Sequence, residues 1–472
     1  MLVGARRPTG YNTVAMTTVI RDATIVTGDP GRTILYGAAL AIQGDRIVGL
    51  GPSEDLAAQY PESEFVDGRG NVVFPGLLNA HTHLLKTANR GIQEDLGFPT
   101  TLRFPEDIRA LMSRDEENVF ALLGALEAIR CGTTCVLEIE RDISHYAQGL
   151  EKTGLRLVLA EYIEDLDPEE ARNGVYSYPQ RLLDEGLQRS ADLIEGWHGR
   201  AGGRVTCMMS PATPETCSPE LLQRSRDMAE RYDIGYTVHL SESYEEIQAV
   251  MQVRGVRPTQ YLHASGALGP RVVAAHCRYL DDSEIALMGQ TRTAVSFNPA
   301  IAARRGVAAP ARELQAAGCT IGMGSDNMDE NMIEVMRTGL FAERVRLNSQ
   351  MDPQPEDVLE WATRGSARAL GMEGQVGSLE VGKKADLLII DAMRPHLVPN
   401  LRIVSAFIHN GQGSDVVSVM VDGRWLMRDG RVLTIDEADV VRRAEEMGHS
   451  LWRRLIDRYP DVPFPFTLPP RG

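Results

Sequence analysis

Apolar and polar residues follow two different patterns along this chain, and the change of pattern divides it into parts. Near both ends, short apolar runs are separated by turn residues, which is typical of β-strands joined by tight turns. Residues 18–26 show this pattern near the start, and residues 385–390 and 416–421 show it near the end. We therefore predict a small β-sandwich formed by both chain ends, from residues 16–74 and 375–434.

The central part alternates strand-like apolar runs with amphipathic helical stretches, which is typical of βα units and a parallel sheet. Eight strand candidates follow one another there: residues 73–79, 133–138, 155–162, 205–210, 235–240, 272–276, 293–297 and 320–324. Eight such units predict an α/β fold, a (β/α)8 TIM-like barrel over residues 75–374, with reactive groups at the C-terminal ends of the strands. A doubly wound open sheet is the alternative, but no glycine-rich phosphate loop follows the first strand.

The two extremities of the chain fall outside these two domains. Residues 435–472 predict a helix followed by a tail rich in proline and phenylalanine. The first residues carry arginines but no apolar core, so they do not predict a signal peptide. Met16 is an alternative start to Met1, because it lies just before the first predicted strand.

Charge and composition narrow the classes of function. The 472 residues include 65 acidic and 49 basic side chains, and a net charge of -16 repels phosphate backbones, so we expect no nucleic-acid partner. No apolar run approaches the ~18–20 residues of a membrane span, so we expect no membrane partner. The 6 cysteines show no C-x-x-C spacing, which favours a reducing, cytoplasmic location without disulfides.

Two histidines stand at the end of the first central strand, in the sequence His81-Thr82-His83. Residues i and i+2 of a strand point to the same side, so both imidazoles can reach one point. Two neutral imidazoles are good ligands for a borderline divalent metal. Taken alone, the pair is equally consistent with two polar residues where a strand meets its loop.

Further polar residues at strand ends favour the metal. Only 10 histidines occur in the chain, yet His239 and His276 each close an apolar strand candidate, and Asp326 follows the last one. Burying such groups without partners costs several kcal/mol each, and a bound metal removes that cost. Glu242, three residues after His239, would extend over the same end of the barrel and suits proton transfer. The alternative for Glu242 is a solvated loop carboxylate beside Glu245 and Glu246.

Taken together, these motifs identify a resemblance that covers nearly the whole chain. The chain resembles the amidohydrolase superfamily, in the branch of triazine hydrolases and nucleobase deaminases and near the phenylurea and thiocarbamate hydrolases. The residues that carry the resemblance are Pro75-Gly76-Leu77, His81-Thr82-His83, His239 with Glu242, His276, Ser325-Asp326 and the run 377–387. The resemblance implies a small-molecule substrate and a homo-oligomer, either a dimer or a tetramer.

The resemblance also implies the site residues and their roles. One divalent metal ion, zinc before iron, cobalt or manganese, would be held by His81, His83, His239 and Asp326. Catalysis would then fall to Asp326, which takes a proton from the metal-activated water, to His276, which stabilises the developing oxyanion, and to Glu242, which protonates the leaving nitrogen.

The resemblance also bears on the number of metal ions. Dinuclear relatives use a carboxylated lysine on a middle strand, and none of the chain's lysines lies in the fourth strand candidate, residues 205–210. We therefore expect one metal ion, while a carboxylate bridge through Glu138 stays open.

The departures from the family pattern bear on the substrate. Ala212 stands where deaminases of this branch have a histidine, and residues 327–331 replace the usual Ser-Asn-Asn stretch. The loss of this polar side chain from the pocket favours a smaller or more apolar substrate. We therefore expect cleavage of a C–N bond in a small N-substituted urea, carbamate or amide, including aryl-substituted ones. The alternative is a ring deaminase or dechlorinase acting on a nucleobase, triazine or related heterocycle. A catalytically silent scaffold is disfavoured because the whole ligand set is present.

Overall fold

The computed structural model of the chain describes residues 17–94 and 104–464, together with Phe466 and Leu468. Met16 and residues 469–472 of the predicted tail lie outside the described residues. Within the described part, the strands form two sheets, and each sheet has nine strands.

The first sheet begins with strands from the N-terminal part of the chain. They are β1 (Thr18–Val26), β2 (Ile34–Gln43), β3 (Arg46–Pro52), β4 (Glu64–Asp67) and β5 (Asn71–Pro75). β1 pairs antiparallel with β2 and parallel with both β4 and β5. Ile20, Ile25 and Leu40 pack together in its core, because the register shifts in β1 between Ile20 and Ile25 bring these two side chains to one face.

The second sheet is parallel and lies in the central part of the chain. Its strands are β6 (Leu77–His83), β7 (Thr133–Glu140), β8 (Arg156–Ile163), β9 (Val205–Pro211), β10 (Gly235–Leu240), β11 (Val272–His276), β12 (Ala294–Phe297), β13 (Ile321–Met323) and β14 (Asp326–Asn327). They follow chain order from β6 to β13, and β14 lies on the other side of β6. Seven of the eight strand candidates fall on this curled sheet, and the first, residues 73–79, falls on it from Leu77 onwards.

The chain then returns to the first sheet. The returning strands are β15 (Leu387–Asp391), β16 (Val416–Val421), β17 (Arg424–Arg428) and β18 (Arg431–Val432). β15 pairs antiparallel with β5, where Val73 lies opposite Ile389. Both chain ends therefore build a sheet separate from the central one. The β5–β15 pairing joins all these strands into one continuous sheet, and its folding into the predicted sandwich stays a prediction.

The predicted strand 73–79 is divided between the two sheets. Residues up to Pro75 belong to β5, and β6 begins at Leu77. Gly76 connects them and donates its N–H to Asp386 O at 3.0 Å. A Cβ at position 76 would lie 2.1 Å from Thr134 Oγ1, so the close approach of the two sheets requires glycine there. One apolar run thus serves two sheets, which periodicity alone does not reveal.

The predicted strand 320–324 contains β13, and a second short strand follows it. β13 pairs with β12, and the next short strand, β14, pairs with β6. In that second pairing, Asp326 lies opposite Thr82, and Asn327 lies opposite His83. Consecutive segments of the chain therefore contact the two ends of the curled sheet.

Helices separate the central strands β6 to β13 from one another, as the alternating pattern predicts, and further helices lie before and after this part of the chain. The helices are α1 (Ser53–Gln59), α2 (Arg114–Arg130), α3 (Ala147–Thr153), α4 (Pro168–Arg172), α5 (Gln180–Trp197), α6 (Arg200–Gly203), α7 (Pro219–Arg231), α8 (Tyr244–Arg254), α9 (Pro258–Ala264), α10 (Asp282–Thr291), α11 (Pro299–Arg304), α12 (Ala311–Ala317), α13 (Met332–Arg346), α14 (Pro355–Glu360), α15 (Ser366–Ala369), α16 (Ile403–Asn410) and α17 (Glu437–Arg458). Trp452 of α17 donates its indole N–H to Ala88 O at 2.8 Å, which attaches this helix beside the loop after β6. Among the described helices, none combines the length and the apolar character needed to cross a membrane.

A buried ion-pair cluster joins the two sheets. Arg156, at the start of β8, binds both carboxylate oxygens of Asp386 at 2.9 and 3.0 Å. The same guanidinium also pairs with Asp422, in the turn after β16. The Arg156 and Asp386 side chains are only 4% and 2% exposed, so neither charge has water to replace its partner. Desolvated pairs of this kind are costly to break from one side only.

We predict that Arg156→Met destabilises the fold, because it leaves the buried Asp386 carboxylate without its cation. The expected loss is about 3–5 kcal/mol in the free energy of unfolding, measured by urea denaturation. Arg181→Met is the matched control, since Arg181 pairs with Glu185 on an exposed helix face. That control should change the free energy of unfolding by about 0.5 kcal/mol or less. Equal effects of both variants would contradict the prediction.

Candidate metal centre

The residues predicted to form the site meet at one edge of the central sheet. His81 and His83 lie in β6, His239 lies in β10, His276 ends β11 and Asp326 begins β14. Because the C-terminal ends of parallel strands share one edge, residues far apart in sequence come together there. The structure brings all five of these side chains into one cluster.

The distances within the cluster are short. The His81 ring centroid lies 4.8 Å from that of His239 and 5.0 Å from those of His83 and His276. Asp326 Oδ1 lies 3.9 Å from His81 Nε2 and 3.7 Å from His83 Nε2. In each of three overlapping groups of these side chains and Glu242, the candidate ligand atoms lie within 4.8 Å of one another.

Main-chain carbonyls orient two of the imidazoles. His239 Nδ1 donates to Ala212 O at 3.0 Å, and His83 Nδ1 donates to Ile139 O. A neutral imidazole carries one proton, so these bonds leave each Nε2 with a free lone pair. Such outer partners fix the ring orientation of metal-binding histidines.

The cluster contains buried polar atoms without partners. Among the described residues, both ring nitrogens of His81, Nε2 of His276 and Oδ2 of Asp326 have no hydrogen bond. These side chains are at most 2% exposed, so bulk water does not reach them. A single divalent metal ion fits this donor set, because it satisfies nitrogen and carboxylate lone pairs at once.

The charge state of the cluster also suits a cation. Burial lowers the pKa of His239 and lowers those of His81, His83 and His276 well below the usual range, so the imidazoles are neutral. Neutral imidazole is the form that binds metal. Burial raises the pKa of Asp326 to about 6, and a neighbouring divalent cation favours its ionised form.

Two of these residues have unusual backbone conformations. His276 and Asp326 have φ angles of 74° and 72°, in the left-handed region that non-glycine residues rarely occupy. Such conformations cost about 1–3 kcal/mol each and persist where the surroundings hold them. Here the strand ends turn sharply, and both side chains point into the cluster.

Asn298 defines the protonation of His276, and sequence reasoning missed it. Its amide nitrogen lies 3.2 Å from His276 Nδ1, and its Oδ1 accepts from Ser296 Oγ at 2.8 Å. The amide therefore donates to Nδ1, which leaves the imidazole proton on Nε2. His276 thus presents a hydrogen-bond donor, which suits contact with a developing oxyanion.

Glu242 belongs to the cluster and is not a solvated loop carboxylate. Its Oε2 lies 3.7 Å from His276 Nε2, and its side chain is only 11% exposed. Its Oε1 accepts from Arg278 at 3.0 Å and from Arg305 at 2.6 Å. Burial opposes ionisation, but these two guanidinium groups outweigh it and hold the pKa of Glu242 below its usual range. The loop is fixed by Glu246, whose carboxylate accepts from the N–H groups of Ser241 and Glu242 at 2.7 Å.

Sequence reasoning also missed the two arginines. Arg278 lies two residues after His276, where the left-handed φ angles of His276 and Cys277 end the alternation of the strand, so no periodicity points to it. Arg305 follows α11, and its approach to Glu242 spans 63 residues. No local pattern predicts such a contact.

Glu138, left open as a bridging ligand, is used elsewhere. Its carboxylate accepts from Leu84 N at 2.8 Å and from the Tyr146 hydroxyl at 2.9 Å. Burial raises the pKa of Glu138 to about 8. Among the described residues, the groups with metal-binding spacing do not include it.

Comparison with known proteins decides the family. The sequence model of the amidohydrolase family matches residues 72–426, and that of a bacterial imidazolonepropionase-like composite domain matches residues 38–62. The chain belongs to the amidohydrolase family. This amidohydrolase is a metal-dependent hydrolase that acts on C–N bonds of non-peptide substrates, and its cofactor is a single divalent metal ion.

Full-length relatives are described as deaminases. The amidohydrolase is 34% identical to a 5-methylthioadenosine/S-adenosylhomocysteine deaminase of Desulforudis audaxviator, over 94% of this chain and 100% of the relative. It is 35% identical to a 5'-deoxyadenosine deaminase of Methanothermobacter thermautotrophicus, over 82% of this chain and 89% of the relative.

Solved structures share the fold. An adenosine deaminase of Xanthomonas campestris with bound zinc superposes with a TM-score of 0.86 and 25% identity, over 94% of this chain and 99% of that one. An atrazine chlorohydrolase of Arthrobacter aurescens gives a TM-score of 0.82 with 24% identity, over 91% of this chain and 100% of that one. The second likeness supports the fold alone.

We predict that Asp326→Ala lowers both metal content and hydrolytic activity, because it removes the anionic member of the cluster. Metal content per chain is measured by atomic emission after dialysis against metal-free buffer. The control is Asp192→Ala, since Asp192 lies exposed on α5. A variant at position 326 with full metal content and full activity would rule out this centre.

Proposed function

We propose that this amidohydrolase is a zinc-dependent ring deaminase that removes the exocyclic amino group of an adenosine-like nucleoside. His81, His83, His239 and Asp326 are the proposed metal ligands. The observation that carries the proposal is the likeness over nearly the full length to nucleoside deaminases, and Glu242 fits it as a fixed ionised carboxylate whose Oε2 faces His276 beside the ligand cluster. Deamination needs such a group to carry a proton to the leaving nitrogen. The full-length relatives named as nucleoside deaminases support the same reading.

The relatives favour deamination over the urea, carbamate or amide cleavage expected from Ala212. The Ala212 side chain is fully buried, and its carbonyl orients His239. The main chain at position 212 therefore orients one of the proposed metal ligands. Nearby, Oε2 of Glu215 is buried and has no hydrogen-bond partner among the described residues. An amino-heterocycle could donate to this oxygen, so the missing histidine does not exclude a polar ring.

The chemistry divides among the residues of the cluster. A divalent ion bound there lowers the pKa of a water molecule and so supplies a nucleophile at neutral pH. Asp326 accepts the proton that the attacking water loses. His276 donates its Nε2 proton in a hydrogen bond to the oxygen that gains negative charge. The proton taken up by Asp326 would reach the exocyclic nitrogen by way of Glu242, the bond between the ring carbon and that nitrogen would break, and ammonia would leave while the ring keeps the oxygen of the water.

The structure also supports the architecture predicted for the whole chain. We propose that the curled sheet is the (β/α)8 barrel of residues 75–374, because β13 and β14 contact its two ends in turn. The first sheet would then be the composite domain of residues 16–74 and 375–434. Assembly into a dimer or tetramer stays a prediction, tested by light scattering of the purified protein.

The deaminase proposal is tested with the zinc-loaded protein and a panel of substrates. The panel contains 5'-methylthioadenosine, S-adenosylhomocysteine, 5'-deoxyadenosine, a triazine, an arylurea and an arylcarbamate. We expect ammonia release and exchange of an amino group for oxygen on an intact purine, detected by mass spectrometry. Scission of the arylurea or carbamate into two fragments, with the purines left unchanged, would overturn the proposal.

We predict that Glu242→Gln slows turnover without removing the metal, because Glu242 acts on protons and is not a proposed ligand. The expected loss is about 10²–10⁴ in kcat, with metal content close to one ion per chain. Glu245→Gln is the matched control, since Glu245 lies three residues away on the exposed side of α8. A Glu242→Gln variant with normal kcat would remove this residue from the mechanism.

A further inference from the structure

The segment after Asp326, where this chain departs from the family pattern, turns back beneath the metal centre. Met328 has a φ angle of 69°, in the left-handed region, and Asn331 caps α13 through the N–H groups of Ile333 and Glu334. Between these two residues, the Glu330 side chain enters the protein interior and is fully buried.

The Glu330 carboxylate accepts hydrogen bonds from three side chains. Thr82 Oγ1 lies 2.8 Å from both carboxylate oxygens. Ser325 Oγ donates to Oε2 at 2.9 Å, and Asn79 Nδ2 donates to the same oxygen at 3.1 Å. One carboxyl group thus gathers two donors from β6 and one from the turn between β13 and β14.

Each of these donors lies within two residues of a proposed metal ligand. Thr82 lies between His81 and His83, and Ser325 precedes Asp326. Asn79 Oδ1 accepts from the main-chain N–H of Ser325 at 3.1 Å and lies 3.3 Å from that of His81. The network therefore connects the backbones that carry three of the four proposed ligands.

The Glu330 carboxyl group is buried without a cationic side chain beside it, and burial raises its pKa well above the usual range. Among the residues that the structure describes, no lysine, arginine or histidine forms an ion pair with this carboxylate. A buried carboxylate is costly unless hydrogen bonds and a nearby positive charge stabilise it. The donors supply the hydrogen bonds, and a divalent ion in the adjacent cluster would supply the charge.

We propose that Glu330 is a positioning residue for the metal centre. Its carboxylate holds Thr82, Ser325 and Asn79, and through them it fixes His81, His83 and Asp326 at the spacing that a metal ion requires. This inference rests on the ligand set given under the proposed function, but not on the identity of the substrate.

The test compares metal binding by Glu330→Gln and Glu343→Gln. Glu343 is also fully buried, but it accepts from Arg346 and from the main-chain N–H of Arg312, away from the metal centre. Zinc affinity is measured by competition with a chromogenic chelator, and the cobalt-substituted proteins are compared by visible absorption spectroscopy. We expect Glu330→Gln to bind zinc about 10–100-fold more weakly and to show an altered cobalt spectrum. The control should match the wild-type protein in both measurements.

A second variant keeps the test decisive if Glu330→Gln does not fold. Thr82→Val keeps the shape of the side chain and removes one donor to Glu330. It should weaken zinc binding in the same direction, to a smaller extent. Wild-type affinity and an unchanged cobalt spectrum in the folded variants would overturn the inference, and so would an equal loss in Glu343→Gln. If Glu330→Gln weakens zinc binding as expected but the zinc-loaded wild-type protein deaminates no purine, only the proposed function is overturned.

Discussion

Burying several imidazoles and a carboxylate in one place is the constraint on which this structure depends. His81, His239 and His276 share a space from which water is excluded, and some of their polar atoms have no partner in the protein. Leaving such atoms unsatisfied would consume much of the small net stability of a folded chain. The strained turns at His276 and Asp326 are tolerated because they aim these side chains at one point. A cation at that point converts several unfavourable groups into a bound centre.

The ends of the strands could be predicted from the sequence because polarity changes abruptly there. An apolar strand that ends in histidine or aspartate is hard to explain by packing, and His239, His276 and Asp326 each show this pattern. The parallel arrangement then places such residues together without knowledge of side-chain contacts. The site was therefore predictable to the extent that it consists of strand ends.

The partners of these residues were not predictable, since they depend on contacts between distant segments. Arg305 reaches Glu242, and Glu330 reaches Thr82, across loops whose course no periodicity describes. The division of one apolar run at Gly76 was missed for a similar reason, because the signal is the nearness of Thr134 in another strand. The relatives favour the alternative over the substrate inference from Ala212, for a related reason. The identity of one residue shows which side chain is absent at that position, but not whether another residue, such as Glu215, can make the same hydrogen bond.

The pairing of β5 with β15 also affects how the chain is made. β5 ends at Pro75, whereas its partner begins at Leu387, so residues 76–386 must be synthesised before the first sheet is complete. The ribosome adds about 5–20 residues per second, so the edge of β5 stays without this partner for on the order of tens of seconds. Unpaired strand edges attract other strands. The early folding of the central sheet against β5, and any chaperone that covers this edge, therefore bear on how much of the protein reaches its native state.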